Sequence, residues 1–169
     1  MRAINLKTEH MINPLGIDVR EPYLTWNCLD GKRQSAYEIQ ILENDNVVCN
    51  SGKIICDEMY HVYTGGIKSR QRYTWKLRLW DELNQVGEWS KEAFFETGIL
   101  EKNEWKAKWI NPELTCDSEV HKPASYLRTS FHLEKSVFEK AKAHNSGRLY
   151  ITAHGLYEAW INGKRVGDF

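Results

Sequence analysis

The chain has 169 residues, with 23 Lys and Arg against 23 Asp and Glu, a formal net charge of zero. That balance excludes nucleic-acid binding driven by phosphate neutralisation and a polybasic membrane anchor. Hydrophobic residues at 41% and charged residues at 27% exclude a disordered composition, and no run approaches the roughly 18 apolar residues of a membrane span.

The opening Met1-Arg2-Ala3-Ile4-Asn5-Leu6-Lys7 has no apolar signal core, so a soluble, cytoplasmic protein is expected. The dominant pattern after it is alternation of apolar and polar residues, the mark of strands with one face on a core and one in water. In chain order the strand candidates are Ala3–Lys7, the Leu24/Trp26 run after Pro22, Tyr37–Ile41, Val47–Cys49, His61–Tyr63, Tyr73–Leu79 and the Ala93/Phe95 run. Turn chemistry separates them: Asp30-Gly31, Asn44-Asp45-Asn46, Ser51-Gly52, Gly65-Gly66 and Asn84 through Gly87. Such a count and spacing predict a seven-stranded all-β sandwich of immunoglobulin or fibronectin type III kind over residues 1–99. Ile67 six residues before Tyr73 resembles the fibronectin type III approach to its sixth strand, where a core plug is followed by a tyrosine in the corner.

The pattern changes after Thr97-Gly98. Residues 100–124 read as a linker containing the amphipathic Trp105–Ile110 and a polar loop. Alternation returns at Leu127–Leu133 and at Leu149–His154. Between them Ser136 to His144 predicts a short helix capped by Ser136 with Glu139 three residues on, stopped by Asn145-Ser146-Gly147. Asn162-Gly163 between two extended runs predicts a type I′ hairpin. Residues 125–169 therefore read as the start of a second, incomplete β-sandwich, too small to cover its own apolar face.

Four cysteines, Cys28, Cys49, Cys56 and Cys116, form no C-x-x-C pair. Cys49 and Cys56 are close enough to bridge across a turn, but reduced thiols are expected without an export signal. Cys116 and His121 lack two further ligands for zinc, and neither a metal nor a cofactor is expected. The carboxylate neighbours Asp57-Glu58 and Asp81-Glu82 sit in turn-like polar contexts and read as solvated surface; no catalytic residue is assigned.

Aromatic residues are abundant, with 7 Trp, 8 Tyr and 5 Phe. Most suit a sandwich core. Trp80 and Phe94 fall out of phase with their strands and should face away from the core. They, with Trp160, are the substrate-binding candidates: either a sugar-stacking surface or an interface with a neighbouring module, a role open also to Trp105 and Trp109.

The succession Pro22-Tyr23-Leu24-Thr25-Trp26, Gln34-Ser35-Ala36-Tyr37-Glu38-Ile39, Tyr73-Thr74-Trp75-Lys76-Leu77-Arg78-Leu79-Trp80-Asp81, Trp89-Ser90 and Phe95-Glu96-Thr97-Gly98 is specific as a set. With Trp105–Ile110 and Gly155–Asp168, it resembles the N-terminal region of bacterial α-L-rhamnosidases of glycoside hydrolase family 78. The resemblance implies a fibronectin type III-like module, then the start of a rhamnosidase N-terminal β-sandwich of jelly-roll kind. It also implies a helical catalytic barrel further along the same polypeptide, which would be the partner of this region. The parent would hydrolyse terminal α-L-rhamnosides with inversion, its acid and base lying outside these residues. The chain itself is then a non-catalytic accessory region, inactive alone, with a rhamnose-containing glycan as a further partner; the alternative is a free-standing carbohydrate- or protein-binding module.

Overall fold

The computed structural model describes residues 1–112, 124–144 and 147–167. Cys116, His121, Asn145 and Ser146, which carried the zinc and helix-stop arguments, lie outside the described residues. The chain divides into two compact units, Met1–Ala107 and Lys108–Phe169.

The first unit is built from β1 (Arg2–Thr8), β2 (Tyr23–Leu29), β3 (Ala36–Glu43), β4 (Asn46–Asn50), β5 (Ile54–Ile55), β6 (Tyr60–Val62), β7 (Arg72–Trp80) and β8 (Ala93–Glu96). All seven expected strands form; β5, two residues long, had no alternation to announce it. Two antiparallel sheets result. One has the order β1-β2-β6; the other has the order β4-β3-β7-β8, with β5 paired to β3. Their facing sides enclose one core, with Leu24 and Trp26 from the first sheet and Ile39, Ile41, Tyr73, Trp75, Leu77, Leu79 and Phe95 from the second. The odd-numbered residues of β7 are buried and the even-numbered ones are not, as the pleat requires.

Tyr73 stacks on Phe95 with ring centroids 5.2 Å apart, and its hydroxyl accepts the Lys68 backbone N–H at 3.0 Å. This is the tyrosine corner that the Ile67–Tyr73 spacing announced, and Ile67 packs against the core beside it.

A buried amide ties one end of the sandwich together. Gln34 is 3% exposed. Its Oε1 accepts the Trp26 indole N–H at 2.9 Å and the Cys28 thiol at 3.5 Å. Its Nε2 donates to the backbone oxygens of Cys56 at 3.0 Å and Glu58 at 2.9 Å. The four contacts satisfy every donor and acceptor of a side chain that is itself buried. Cys28 is thus half-buried and hydrogen-bonded rather than a purely apolar core residue. Desolvation pushes its thiol above the usual range, and does the same to Cys49. The thiols of Cys28, Cys49 and Cys56 are free.

In the second unit the described residues hold one helix, α1 (Lys135–His144), and one hairpin, β9 (Ala159–Ile161) with β10 (Lys164–Val166). The hairpin has the expected turn: Asn162 at φ 49° and Gly163 at φ 76° both occupy the left-handed region that a type I′ turn requires. The helix starts one residue earlier than expected, with the Phe138 N–H bonded to the Glu134 oxygen. Ser136 is therefore inside the first turn and is not the cap. Leu127–Leu133 and Leu149–His154 form no strand. Alternation encodes a two-faced segment, but a ladder also needs a neighbouring strand in register.

Candidate interaction face

The outward side of the β4-β3-β7-β8 sheet carries the side chains that the core does not use. On β7 these are Arg72, Thr74, Lys76, Arg78 and Trp80, none of them buried. Register places Glu38 of β3 opposite Arg78, Glu96 of β8 opposite Arg72, and Phe94 opposite Thr74.

A further ring arrives from a loop. After β7 the Asp81 carboxylate accepts the backbone N–H groups of Leu83 at 3.0 Å and Gln85 at 2.8 Å, which reverses the chain. The returning segment bonds alongside β7, Gly87 N–H to Leu79 O and Ser90 N–H to Leu77 O, both at 2.8 Å. Gly87 is required there by space, since a Cβ would stand 1.9 Å from the Met1 carbonyl oxygen. This return lays Trp89 over the sheet.

The result is a ladder of cations and rings. Lys53 Nζ lies 4.8 Å from the Trp80 ring centre, and the Arg78 guanidinium lies 5.4 Å from Trp80 and 4.9 Å from Trp89. Lys76 Nζ is 5.9 Å from Trp89, and at the far end the Arg72 guanidinium sits 4.2 Å over Phe94. Each of three cations also meets an acid: Arg78 with Glu38 at 2.7 Å, Arg72 with Glu96 at 3.1 Å, Lys76 with Glu92 at 3.5 Å. Each ring contact is worth about 0.5–1 kcal/mol at such partly exposed positions.

Trp80 and Phe94 share this face but are not adjacent. Phe94 stands opposite Thr74, six residues from Trp80 along β7, which is roughly 20 Å. Trp89 bridges part of that gap. Its signal in the sequence was present but weak, a tryptophan just beyond a turn whose return path alternation does not specify. Trp160 belongs to the second unit, in β9, with its indole N–H 3.4 Å from the Glu158 carboxylate and a 59% exposed surface. Trp105 and Trp109 are exposed; Trp109 stacks on His154 at 4.3 Å.

Removing the Arg78 side chain tests how much the ladder contributes. Glu38 is buried, so Arg78→Ala strands its carboxylate and vacates the space between Trp80 and Trp89. A loss of about 2 kcal/mol in urea unfolding is expected. Arg78→Lys should lose about half as much, because the ammonium keeps the charge but not the planar stack.

Carboxylates meet at one end of the same sandwich. An open cleft of about 340 Å³ is lined by Arg33, Gln34, Ser35, Ile55, Cys56, Asp57 and Glu82. The hydrogen bond from Arg33, 2.6 Å away, holds the Asp57 carboxyl below its usual range. Glu82 is held down by its own backbone N–H and then by those of Lys32 and Arg33. Neither carboxyl is placed to stay protonated at neutral pH, as a glycosidic general acid must. Among the described residues no group of three or more His, Cys, Asp or Glu is arranged to hold a metal ion.

Comparison with known proteins decides the family. The model of the Rha78A-like, N-terminal immunoglobulin domain matches residues 3–101, over half the chain. The chain belongs to that family. The α-L-rhamnosidase N-terminal domain then matches residues 142–169. Among relatives, the α-L-rhamnosidase of Alteromonas sp. (strain LOR) is 34% identical over 94% of this chain and 18% of its own length. The α-L-rhamnosidase of Streptomyces avermitilis is 34% identical over 98% of this chain and 18% of its own length. The solved α-L-rhamnosidase from Dictyoglumus thermophilum superposes with a TM-score of 0.61 at 34% identity, over 66% of this chain and 14% of that one. The Rha78A-like chain thus corresponds to an N-terminal region and spans about a fifth of the length of these relatives. Its immunoglobulin-like sandwich is the all-β fold expected from the alternation. No helix among the described residues is long and apolar enough to cross a membrane.

Proposed function

We propose that this Rha78A-like region is the non-catalytic, scaffolding N-terminal part of an α-L-rhamnosidase that hydrolyses terminal α-L-rhamnosides with inversion. The observation that carries the reading is the ordered match of two domains, both named as N-terminal, along one chain. Hydrogen bonds hold the Asp57 and Glu82 carboxyls below their usual range, which does not suit either for the part of a general acid. Inversion needs a raised-pKa acid and a base on opposite faces of the sugar, about 6.5–9.5 Å apart. Those two groups belong to a catalytic domain of the same polypeptide, whose substrate is a rhamnose-bearing glycan.

The working division is a sandwich over residues 1–99, a connecting segment over 100–124, and the start of the rhamnosidase N-terminal domain from 125. Trp80 and Phe94, already capped by cations, serve the scaffold; Trp160 is the ring offered to a sugar or to a neighbouring domain. Free thiols at Cys28, Cys49 and Cys56 support a cytoplasmic location.

The test is hydrolysis of p-nitrophenyl α-L-rhamnopyranoside. The 169-residue chain alone is expected to release no nitrophenol. The polypeptide carrying it together with the catalytic domain is expected to release nitrophenol and, first, the β-anomer of L-rhamnose. Turnover by the 169 residues alone would overturn the proposal.

A further inference from the structure

The cleft at the Gln34 end of the first unit is assembled by three loops that bond to one another and leave it open. The β2–β3 loop brings Arg33, Gln34 and Ser35; β5 and the segment after it bring Ile55, Cys56 and Asp57; the turn after β7 brings Glu82. Glu82 Oε2 accepts the backbone N–H groups of Lys32 at 3.2 Å and Arg33 at 3.4 Å. Arg33 Nη2 donates to Asp57 Oδ2 at 2.6 Å, and the Ser35 hydroxyl donates to the Asp81 carbonyl at 2.5 Å. Beneath them Gln34 bonds the Cys56 and Glu58 carbonyls. These bonds between loops reduce the freedom that a ligand would have to freeze on binding.

Size and chemistry narrow the occupant. About 340 Å³ lies at the small end of small-molecule sites and accommodates one ring-sized polyol, not an oligomer. One guanidinium against two carboxylates gives the lining a net negative charge, which opposes phosphates and carboxylates. The polar groups on offer are of both kinds. Arg33 has N–H donors beyond the one given to Asp57, and its side chain is 73% exposed; Asp57 and Glu82 each have a second oxygen. A hydroxyl both donates and accepts, and two on adjacent carbons reach a guanidinium and a carboxylate together. Ile55, 87% exposed at the wall, supplies the apolar surface that the C–H side of such a ring requires.

We infer that this three-loop cleft is a binding site for a small neutral polyol with adjacent hydroxyls, a monosaccharide, held between Arg33, Asp57 and Glu82. It deepens the reading of the chain as part of a sugar-processing protein and rests on it for the choice of L-rhamnose as first probe. The cleft would hold such a sugar without reacting with it, since hydrogen bonds hold both the Asp57 and the Glu82 carboxyl below the usual range. With only a few exposed hydrogen bonds the affinity falls in the millimolar range.

The experiment is an amide-resolved NMR titration of the chain with L-rhamnose, with sodium phosphate and ethanolamine as anionic and cationic probes. Saturable shifts confined to residues 32–35, 55–58 and 81–83 with L-rhamnose, and none with the other two, are expected. Arg33→Ala, on the exposed side of the cleft, should weaken the sugar about tenfold or more, and the same spectra report whether the fold is intact. No shifts at 50-fold the protein concentration and above, up to about 100 mM sugar, would overturn the site; so would the same shifts with ethanolamine, which would mean that the cleft reads charge. Hydrolysis of the nitrophenyl rhamnoside is an independent test: a silent cleft leaves the accessory reading standing, and an active 169-residue chain removes that reading whatever the titration gives.

Discussion

Replacing Gln34 by Leu is expected to cost about 4 kcal/mol, one of the largest single-residue losses outside the hydrophobic core. Leucine occupies a similar volume, so packing is largely kept. What goes is the partner of four groups: the buried Trp26 indole N–H, the half-buried Cys28 thiol, and the backbone carbonyls of Cys56 and Glu58. An orphaned buried group costs about 1–3 kcal/mol; the Trp26 indole N–H, on a residue only 2% exposed, is the main loss, and the carbonyls at the open cleft add less. The measurement is urea unfolding followed by tryptophan fluorescence. With a slope of about 2 kcal/mol/M the midpoint should fall by about 2 M. Gln85→Leu, in the exposed turn after β7, should stay within about 0.5 kcal/mol of the parent. A loss below about 1 kcal/mol at Gln34 would show that the amide is not the tie that its four contacts indicate.

Cutting the chain after Ala107 is expected to leave cooperative unfolding intact while removing most of its binding of a hydrophobic dye. Every residue of the core cluster lies between Met1 and Phe95, in the first unit. Stability follows that burial, so the unfolding free energy of the shortened chain should match the parent within about 0.5 kcal/mol. The second unit is different. Tyr126 is 99% exposed, and Leu127, Phe131, Leu133, Phe138, Leu149, Ile151 and Leu156 are all exposed beside it in sequence. Apolar surface of that kind binds 8-anilinonaphthalene-1-sulfonate. Fluorescence of the dye should therefore drop several-fold on truncation. A second cooperative transition assignable to residues 108–169, or unchanged dye fluorescence, would contradict this.

The two units also differ in how far their sequences announced them. In the first, local and tertiary preferences agree. Tyr73–Leu79 alternates strictly and its odd residues are the centre of the core. Turn residues mark both ends of nearly every strand, and each strand finds a neighbour. In the second, Leu127–Leu133 and Leu149–His154 alternate just as clearly without forming a ladder. Only the Asn162-Gly163 hairpin, whose two strands are brought together by their own turn, appears as written. A hairpin pays for closing two residues; a ladder between distant strands requires the whole sheet.

The candidate face shows the same divide. That Trp80 and Phe94 point away from the core follows from pleat parity alone, since the side-chain period is two. That each ring carries a cation does not, because the partners come from other strands and turns: Lys53 from the segment after β4, and Arg72 from β7 against Phe94 on β8. Trp89 reaches the ladder through a turn anchored by Asp81 and a backbone approach to Met1.

From the amino-acid order alone come the seven main strands, the inward and outward sides of each, the tyrosine corner, the hairpin and the family. These depend on residue type, short spacings and a specific succession of motifs. Tertiary structure alone decided that Gln34 is a buried tie, that Trp89 joins the ladder, and that Arg33, Asp57 and Glu82 share one cleft. Those groups lie tens of residues apart, and only the closing of the two sheets on one core brings their loops to the same end.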